Sequence, residues 1–583
     1  MAIIGIDLGT TNSLASVWKN GRCELIPNSF GEFLTPSVVG FDDDGSIVIG
    51  KIAKQRLISH PDKTAASFKC FMGTNKELTL GNKSFTPPEL SSFILRQLKK
   101  DAELYLGEPV EEAVISVPAY FDDNGRSATK LAGELAGLKV ERIINEPSAA
   151  ALAYKQDTDN EDMFLIFDFG GGTLDISIVD IFDSVIEIIA VAGDNHLGGD
   201  NFNQTIAEYF CKVNKLKYEG LPNEIKAVIL KQAELCKIAL STQSDAAMVL
   251  NFNNEVYTLA LDNQKLLDIT ASIFEKIEIP IVKAMQDASV MSGGLTDIIL
   301  IGGSSHMLLV RKYLENLFHR EISVTISPDT AVAIGVGIAA GIKARNEEVK
   351  DMVLTDICPF SLGTNVVNYD NFKDDYFSPI IERNTTLPAS IVKSYYTASD
   401  NQTSLCFKIA QGEKVYFKQN LYLGDVEISV TPAPKGERGA DIRFTYDING
   451  ILQVDVTSHE TGETISKTIV NNSRLTQAQI DKKLKELAKI KIHPRNLDEN
   501  KLLLARAESL YEECPVNLRE VLKERLQMFN SVLSSQKQMK IKKAAKSFKA
   551  FLDLIEAGGF NPFADSISND DYDDYDEDYE EED

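Results

Sequence analysis

The chain has 583 residues, 44% apolar and 25% charged, which is enough for about three domains with substantial cores. Its net charge of −26 disfavours a nucleic-acid partner; eleven of the acids fall within residues 570–583, which leaves −15 elsewhere. The seven cysteines are scattered, with no CxxC pair and no cysteine–histidine cluster, which argues for reduced thiols in a cytoplasmic setting and against structural zinc.

Residues 3–13, IIGIDLGTTNS, read as an apolar strand ended by Asp7 and followed by Gly9, Thr10, Thr11 and Asn12. Asp7 interrupts the apolar run at once, so no export signal is expected. The segment 67–73, SFKCFMG, holds a lone Lys69 among apolar residues. In isolation Lys69 reads equally well as a snorkelling surface lysine or as a chemical group. Residues 89–106 have helical spacing, and 113–118 form a strand closed by Pro118. A helix with a polar start follows and carries Arg126. Arg142 to Pro147 lead into a small-residue helix over 148–154. Glu146 stands at its start, where a carboxylate either caps the helix or faces a cleft.

Residues 164–176, FLIFDFGGGTLDI, repeat the pattern of the first strand: apolar run, Asp168, then Gly170, Gly171, Gly172 and Thr173. Glycines in such a turn leave backbone N–H groups free to cradle phosphate oxygens. Carboxylates beside phosphates, here Asp168 and Asp175, call for a cation, usually magnesium. A glycine hairpin with incidental acids is the bland alternative, but a second copy far away in the chain points to a duplicated fold with a nucleotide between its halves. Gly198 and Gly199 close a loop expected to lie over that cleft. Glu234, Lys237 and Ser241 share one face of a helix over 223–242; by itself that face reads as ordinarily solvated. Residues 298–306, IILIGGSSH, add a third strand ending in Gly302-Gly303, followed by Ser304 and His306. Strand–helix alternation of this kind predicts an α/β fold. The stretch 330–341 is too short and too rich in small residues to span a membrane, and fits a helix packed on backbone. Past 346 the chain turns charged, then apolar at 352–354, then reaches Asp356. An apolar linker needs a dock. From 357 to about 470, alternating segments predict an antiparallel β domain. Residues 474–557 predict helices, with a capping box at Thr476–Gln479, breaks at Pro494 and Pro515, and a stop at Gly558-Gly559. The acidic tail 565–583 cannot build a core and is expected to be disordered.

The motifs GIDLGTTNS, VPAYF, INEP, DFGGGTLD, GGD at 198–200, IGG followed by serine, and PDTAVAIG resemble those of the DnaK-type seventy-kilodalton heat-shock chaperones. The linker MVLTD and the shortened loops resemble the HscC-like branch. The resemblance implies an α/β actin-like, two-lobed ATPase domain (1–346), a linker (347–356), an antiparallel β-sandwich that binds peptides (357–473), and a helical lid (474–558) before the tail (559–583). It implies an ATP-dependent chaperone that binds and releases extended apolar segments of unfolded proteins, with ATP or ADP, Mg2+ and a K+ ion as cofactors. It also implies a J-domain co-chaperone, no nucleic acid and no membrane. Position by position, Thr10, Thr11, Asn12 and Gly170–Thr173 grip the phosphates. Asp7, Glu146 and Asp168 hold magnesium, largely through water, and Lys69 and Thr173 lie near the γ-phosphate, so Lys69, Thr173, Glu146 and Asp168 form the catalytic set. Gly198, Gly199, Glu234, Lys237, Ser241, Gly302, Gly303, Ser304, His306 and Asp329 surround the rest of the nucleotide. Thr364, Val366, Val367, Ala398, Leu405 and Phe407 line the peptide channel, and Pro118, Arg126, Arg142, Leu354 and Asp356 couple the domains.

The chain departs from the family at Cys70 and His306, which replace arginines, and at Thr355, which replaces a linker leucine. Segments 74–86 and 250–262 are shorter, and the second usually meets a nucleotide-exchange factor, so dependence on that factor stays open. Leu405 and Phe407 exceed the usual valine and isoleucine, which predicts a narrower client range; the alternative is that both turn into the sandwich core. A sugar or acetate kinase, or an actin-like filament protein, would share the hairpins but not residues 357–557.

Overall fold

The computed structural model describes residues 2–42, 46–157, 162–182, 185–253, 255–322, 326–346, 348–349, 352–367, 375–447, 450–470, 494–513, 516–536 and 538–556. The capping box at Thr476, the Gly558-Gly559 stop and the tail 565–583 lie outside the described residues. The chain divides into two compact units, the first reaching Pro359 and the second beginning at Phe360.

Two sheets of repeated design build the first unit. In one, Ala2–Leu8 lies parallel to Val110–Val117 and antiparallel to Asn12–Lys19, with Lys139–Asn145 and Arg22–Ile26 outside them. In the other, Asp162–Phe169 lies parallel to Asp297–Ile301 and antiparallel to Leu174–Phe182, which pairs with Val185–Asp194. The near-continuous apolar runs Ile4–Leu8 and Phe164–Phe167 suit strands covered on both faces, and their side chains are buried. Parallel neighbours require crossover segments, which the helices Pro87–Leu106, Asp123–Leu135 and Asn263–Asp287 help to supply.

Two small-residue helices, Glu146–Asp157 and Ala331–Lys343, belong to an apolar core shared by both sheets. A Cβ on Gly335 would run into the backbone of Ala149, and one on Gly337 into Cys23 and Ser16. The small residues are thus the condition for close approach. The apolar linker also has its dock: Val353–Thr355 extends the second sheet as an edge strand parallel to Val185–Glu187. Met352 and Leu354 pack on the shared core, while Val353 stays 52% exposed.

The second unit holds two four-stranded antiparallel sheets. One orders Tyr376–Ile381, Leu362–Val366, Ser404–Gln411 and Leu421–Ser429; the other orders Ala389–Tyr396, Gly439–Tyr446, Ile451–Ser458 and Thr464–Val470. The helices Asp498–Glu513, Val516–Ser534 and Gln538–Glu556 enclose a separate core around Leu522, Phe529, Leu533, Phe548 and Leu552. Arg506 ties them further, donating to Asp553 at 2.6 Å and to Glu556 at 2.8 Å. No helix among the described residues is long and apolar enough to cross a membrane.

Candidate nucleotide site and linker contact

The two glycine turns meet. A Cβ on Gly171 would collide with Thr11 Oγ1, and one on Gly172 with Cys70 Sγ and Thr10 Cγ2. The Thr10–Thr11 loop and Cys70 therefore press against the glycine turn so closely that side chains at Gly171 and Gly172 would clash. The start of helix Gly199–Val213 clamps that turn: Gly199 N–H donates to Gly170 O at 3.0 Å and Asp200 N–H to Gly171 O at 2.7 Å. The opposite turn is braced by Ser37, whose hydroxyl donates to Gly9 O at 2.7 Å and whose N–H donates to Thr11 O. Among the described residues, the N–H groups of Thr10, Thr11, Gly171 and Gly172 donate no backbone hydrogen bond. Free N–H groups in successive glycine and threonine turn residues are the donors that an anion-binding turn needs. Asn12 begins the strand behind its turn, and Thr173, 7% exposed, ends the glycine turn by accepting from Gly170 N–H at 3.0 Å.

At the bottom of this space Lys69 donates to Glu146 at 2.6 Å, with both side chains buried. Burial alone would lower the Lys69 pKa, but Glu146, Asp7 and Asp168 outweigh it and the pKa is raised. The acids respond in the same way. Burial, then the Glu146 charge, pushes Asp7 up to about 7, although Ser116 donates to it at 2.9 Å. Burial raises Asp168 well above the ordinary range, reinforced by Glu146, Asp175 and Asp7. Asp175 stands directly opposite Asp168 in the hairpin and is pushed to about 7 by burial and Glu146. Like charges facing each other across a strand pair are unfavourable; here they sit where the chain crowds four carboxylates around one ammonium. The turn's flanking acids, Asp168 and Asp175, read in the sequence as carboxylates that call for a cation, but the magnesium set that the resemblance implies leaves Asp175 out. The Oδ1 of Asp175 accepts the Tyr120 N–H at 3.0 Å, while its buried Oδ2 has no hydrogen-bond partner among the described residues.

Lys237 reaches the loop at the cleft and donates to Gly199 O at 3.0 Å; a Cβ on Gly199 would meet Ser304 Oγ. Gly198 likewise sits against the Gly171 backbone. Gly302, at φ +80°, lets the chain pass Asp168 and Phe169. His306 lies 3.1 Å from Asp329, whose other oxygen faces Gly303. Ser241 turns its hydroxyl back to Lys237 O at 3.5 Å. Two contacts had no sequence signal, because their partners are far apart in the chain. Lys54 lies 3.7 Å from Glu234, and Ser67, in a left-handed conformation, donates to Asp200 at 2.9 Å.

The linker contact centres on Asp356. Both its oxygens lie 2.6 Å from Asn145 Nδ2, and Arg126 donates to Asn145 Oδ1. Burial raises the Asp356 pKa against the pull of Arg126 and Arg142, and burial lowers that of Arg142 against the pull of Asp356. Four residues scattered in sequence thus meet in one part-buried polar cluster. Asn145 was passed over because the motif INEP was read for its glutamate. Pro118 ends the strand Val110–Val117, four residues before Asp122, the N-cap of the helix that carries Arg126. In the second unit Leu405 and Phe407 alternate inward and are 6% and 4% exposed, and Phe407 meets Tyr395 edge-on. Thr364 is fully buried and spends its hydroxyl on Lys408 O at 2.9 Å, so that hydroxyl is satisfied within the sheet. Val366 ends its strand, Val367 beyond it is 36% exposed, and Ala398 N–H donates to Gln402.

A family model described as Hsp70 protein matches residues 3–79 and 74–558. The chain is 38% identical over 538 residues to the chaperone protein DnaK of Thermotoga neapolitana, covering 89% of this chain and 88% of the relative. The same identity and coverage hold for the chaperone protein DnaK of Thermotoga petrophila. With nearly its whole length matched and the paired glycine turns, the buried lysine and the linker strand all in place, this chain belongs to the Hsp70 family.

Proposed function

We propose that the chain is an ATP-dependent molecular chaperone. Its first unit binds and hydrolyses ATP, and its second unit takes and releases extended apolar segments of unfolded proteins. The buried Lys69–Glu146 pair beneath two N–H-lined turns carries this reading. Phosphoryl transfer asks a protein mainly for position and charge. The N–H groups of Thr10, Thr11, Gly171 and Gly172 hold the phosphates, and Glu146 orients the Lys69 ammonium toward them. The hydroxyl of Thr173 sits at the end of the same turn. The excess of carboxylates fits a divalent cation: Asp7, Glu146 and Asp168 would hold Mg2+ through water, which supplies charge neutralisation on the phosphates. Glu234, Lys237, Ser241, Gly303, His306 and Asp329 bound the adenosine side. Asp356, Arg126, Arg142 and Leu354 couple the units, with a J-domain protein as the co-chaperone.

The test is ATP turnover by the full chain with and without an extended apolar peptide. A several-fold stimulation, the size of a typical allosteric coupling, is expected. Hydrolysis that ignores the peptide would overturn the coupling, and no hydrolysis would overturn the reading as a whole.

A further inference from the structure

Two buried hydroxyls stand behind the first glycine–threonine turn, which joins the strands Ala2–Leu8 and Asn12–Lys19. Ser13 is fully buried and Ser37 is 2% exposed, and their Oγ atoms lie 2.9 Å apart. The Ser37 hydroxyl donates to Gly9 O at 2.7 Å. A hydroxyl has one proton, so the proton between the two serines is that of Ser13. The chain of donors therefore runs from Ser13 to Ser37 to Gly9. The backbone gives Ser37 little freedom. Thr35 and Pro36, just before it, pair with Ser13 and Asn12. Its own N–H donates to Thr11 O at 2.8 Å, and Val38 O, just after it, accepts the Gly50 N–H at 2.9 Å. The turn itself is tight: a Cβ on Gly9 would run into Asn12 O.

A trans peptide is planar, with its C=O and N–H on opposite sides. The Gly9–Thr10 peptide is trans. Holding Gly9 O on Ser37 therefore turns the Thr10 N–H away from Ser37. That N–H donates no backbone hydrogen bond among the described residues, and Thr10 and Thr11 carry the side chains that meet Gly172 and Gly171. We propose that Ser37 is a positioning residue for the phosphate contact. Its hydroxyl, steadied by Ser13, fixes the Gly9–Thr10 peptide so that the Thr10 N–H is presented to a phosphate oxygen. This rests on the nucleotide reading of the first unit. Without the bond from Ser37, part of the binding free energy would go into orienting the peptide. Ser37 acts only through the backbone that it holds, and the Lys69–Glu146 pair is untouched. Bound nucleotide and transition state use the same N–H, so the loss falls on KM and not on kcat.

The test is ADP binding by titration calorimetry, together with ATP turnover, on the full chain and on Ser37→Ala and Ser37→Cys. The first change removes the donor. The second keeps the side-chain volume and leaves only a weak S–H donor, so a failure of one variant to fold leaves the other to decide. Losing an oriented donor to a charged oxygen weakens binding by roughly tenfold or more. ADP affinity should fall, and KM for ATP should rise, by about that factor, with kcat within about threefold of wild type. Ser13→Ala leaves the bond from Ser37 to Gly9 in place and should lose less. Folded Ser37 variants that bind ADP like the wild type would overturn the proposal. So would a kcat that falls as far as the affinity, the mark of a general loss of structure, or a Ser13→Ala loss as large as that of Ser37→Ala. A wild-type chain that binds no ADP would instead overturn the nucleotide reading, and this proposal with it.

Discussion

Lys69 keeps its proton where burial by itself favours the neutral amine, because Glu146, Asp7 and Asp168 surround it. Lys69→Ala should leave ATP binding measurable but slow single-turnover hydrolysis by ~10² or more, the usual consequence of removing a positioned charge from a transition state. Unchanged single-turnover hydrolysis would remove Lys69 from the chemistry. The change also strands Glu146 as an unpaired buried acid, at a cost of about 3–5 kcal/mol, so thermal stability without nucleotide should fall as well. Asp175 gives the opposite sign. Its pKa is about 7 in the fold against 3.8 in an ordinary aspartate, so the folded state holds the proton more tightly. Its contribution to stability is therefore fully present below about 3.8 and is lost as pH rises through about 7. Asp175→Asn removes that loss. In chelator and without nucleotide, the variant should melt above the wild type at pH 8, by up to a few kcal/mol equivalent, and the gap should close toward pH 4. A gap that does not vary with pH would mean that Asp175 is not the titrating group. Cys70 places its Sγ against Gly172 of the glycine turn, where a neutral thiol adds no positive charge beside Lys69.

The proposed coupling rests on the linker strand, and the proposed selectivity on the inward strand of the second unit. Val353–Thr355 pairs with Val185–Glu187, and Asp356 anchors it to Asn145. Asp356→Asn keeps the shape but loses the charge that faces Arg126 and Arg142. Peptide stimulation of turnover should fall about fivefold or more, within the range of a coupling free energy of 1–3 kcal/mol, while ATP and peptide each bind as before. Stimulation that persists undiminished would place the coupling elsewhere. Leu405 and Phe407 are buried, and Phe407 meets the Tyr395 ring. On a peptide array, Leu405→Val should widen acceptance of leucine-centred peptides if these residues line the channel; an unchanged array together with a lower melting temperature would assign Leu405 to the core. Such a Leu→Val change in a core costs about 1 kcal/mol.

The molecule as a whole consists of two compact units with separate cores. Ligands that bind only folded forms stabilise by mass action, about 4 kcal/mol at a thousandfold excess over Kd. Calorimetry should therefore show Mg–ATP raising the melting of one transition and an apolar peptide raising that of another. A single transition raised equally by either ligand would show that the units unfold as one. Sequence by itself determined the repeated strand–Asp–Gly–Thr turns, the α/β alternation, the small-residue helices and the change to antiparallel strands, because these depend on local periodicity and backbone freedom. It also carried enough ordered motifs to mark the family. Only the tertiary structure decided that Gly171 meets Thr11, that Asp175 faces Asp168 with an oxygen that has no hydrogen-bond partner among the described residues, and that Asn145 joins Asp356 to Arg126. It likewise decided that Thr364 spends its hydroxyl on a neighbouring strand. Each of these depends on a partner that no local pattern names: periodicity fixes which face a side chain takes, whereas long-range pairing fixes what that face meets.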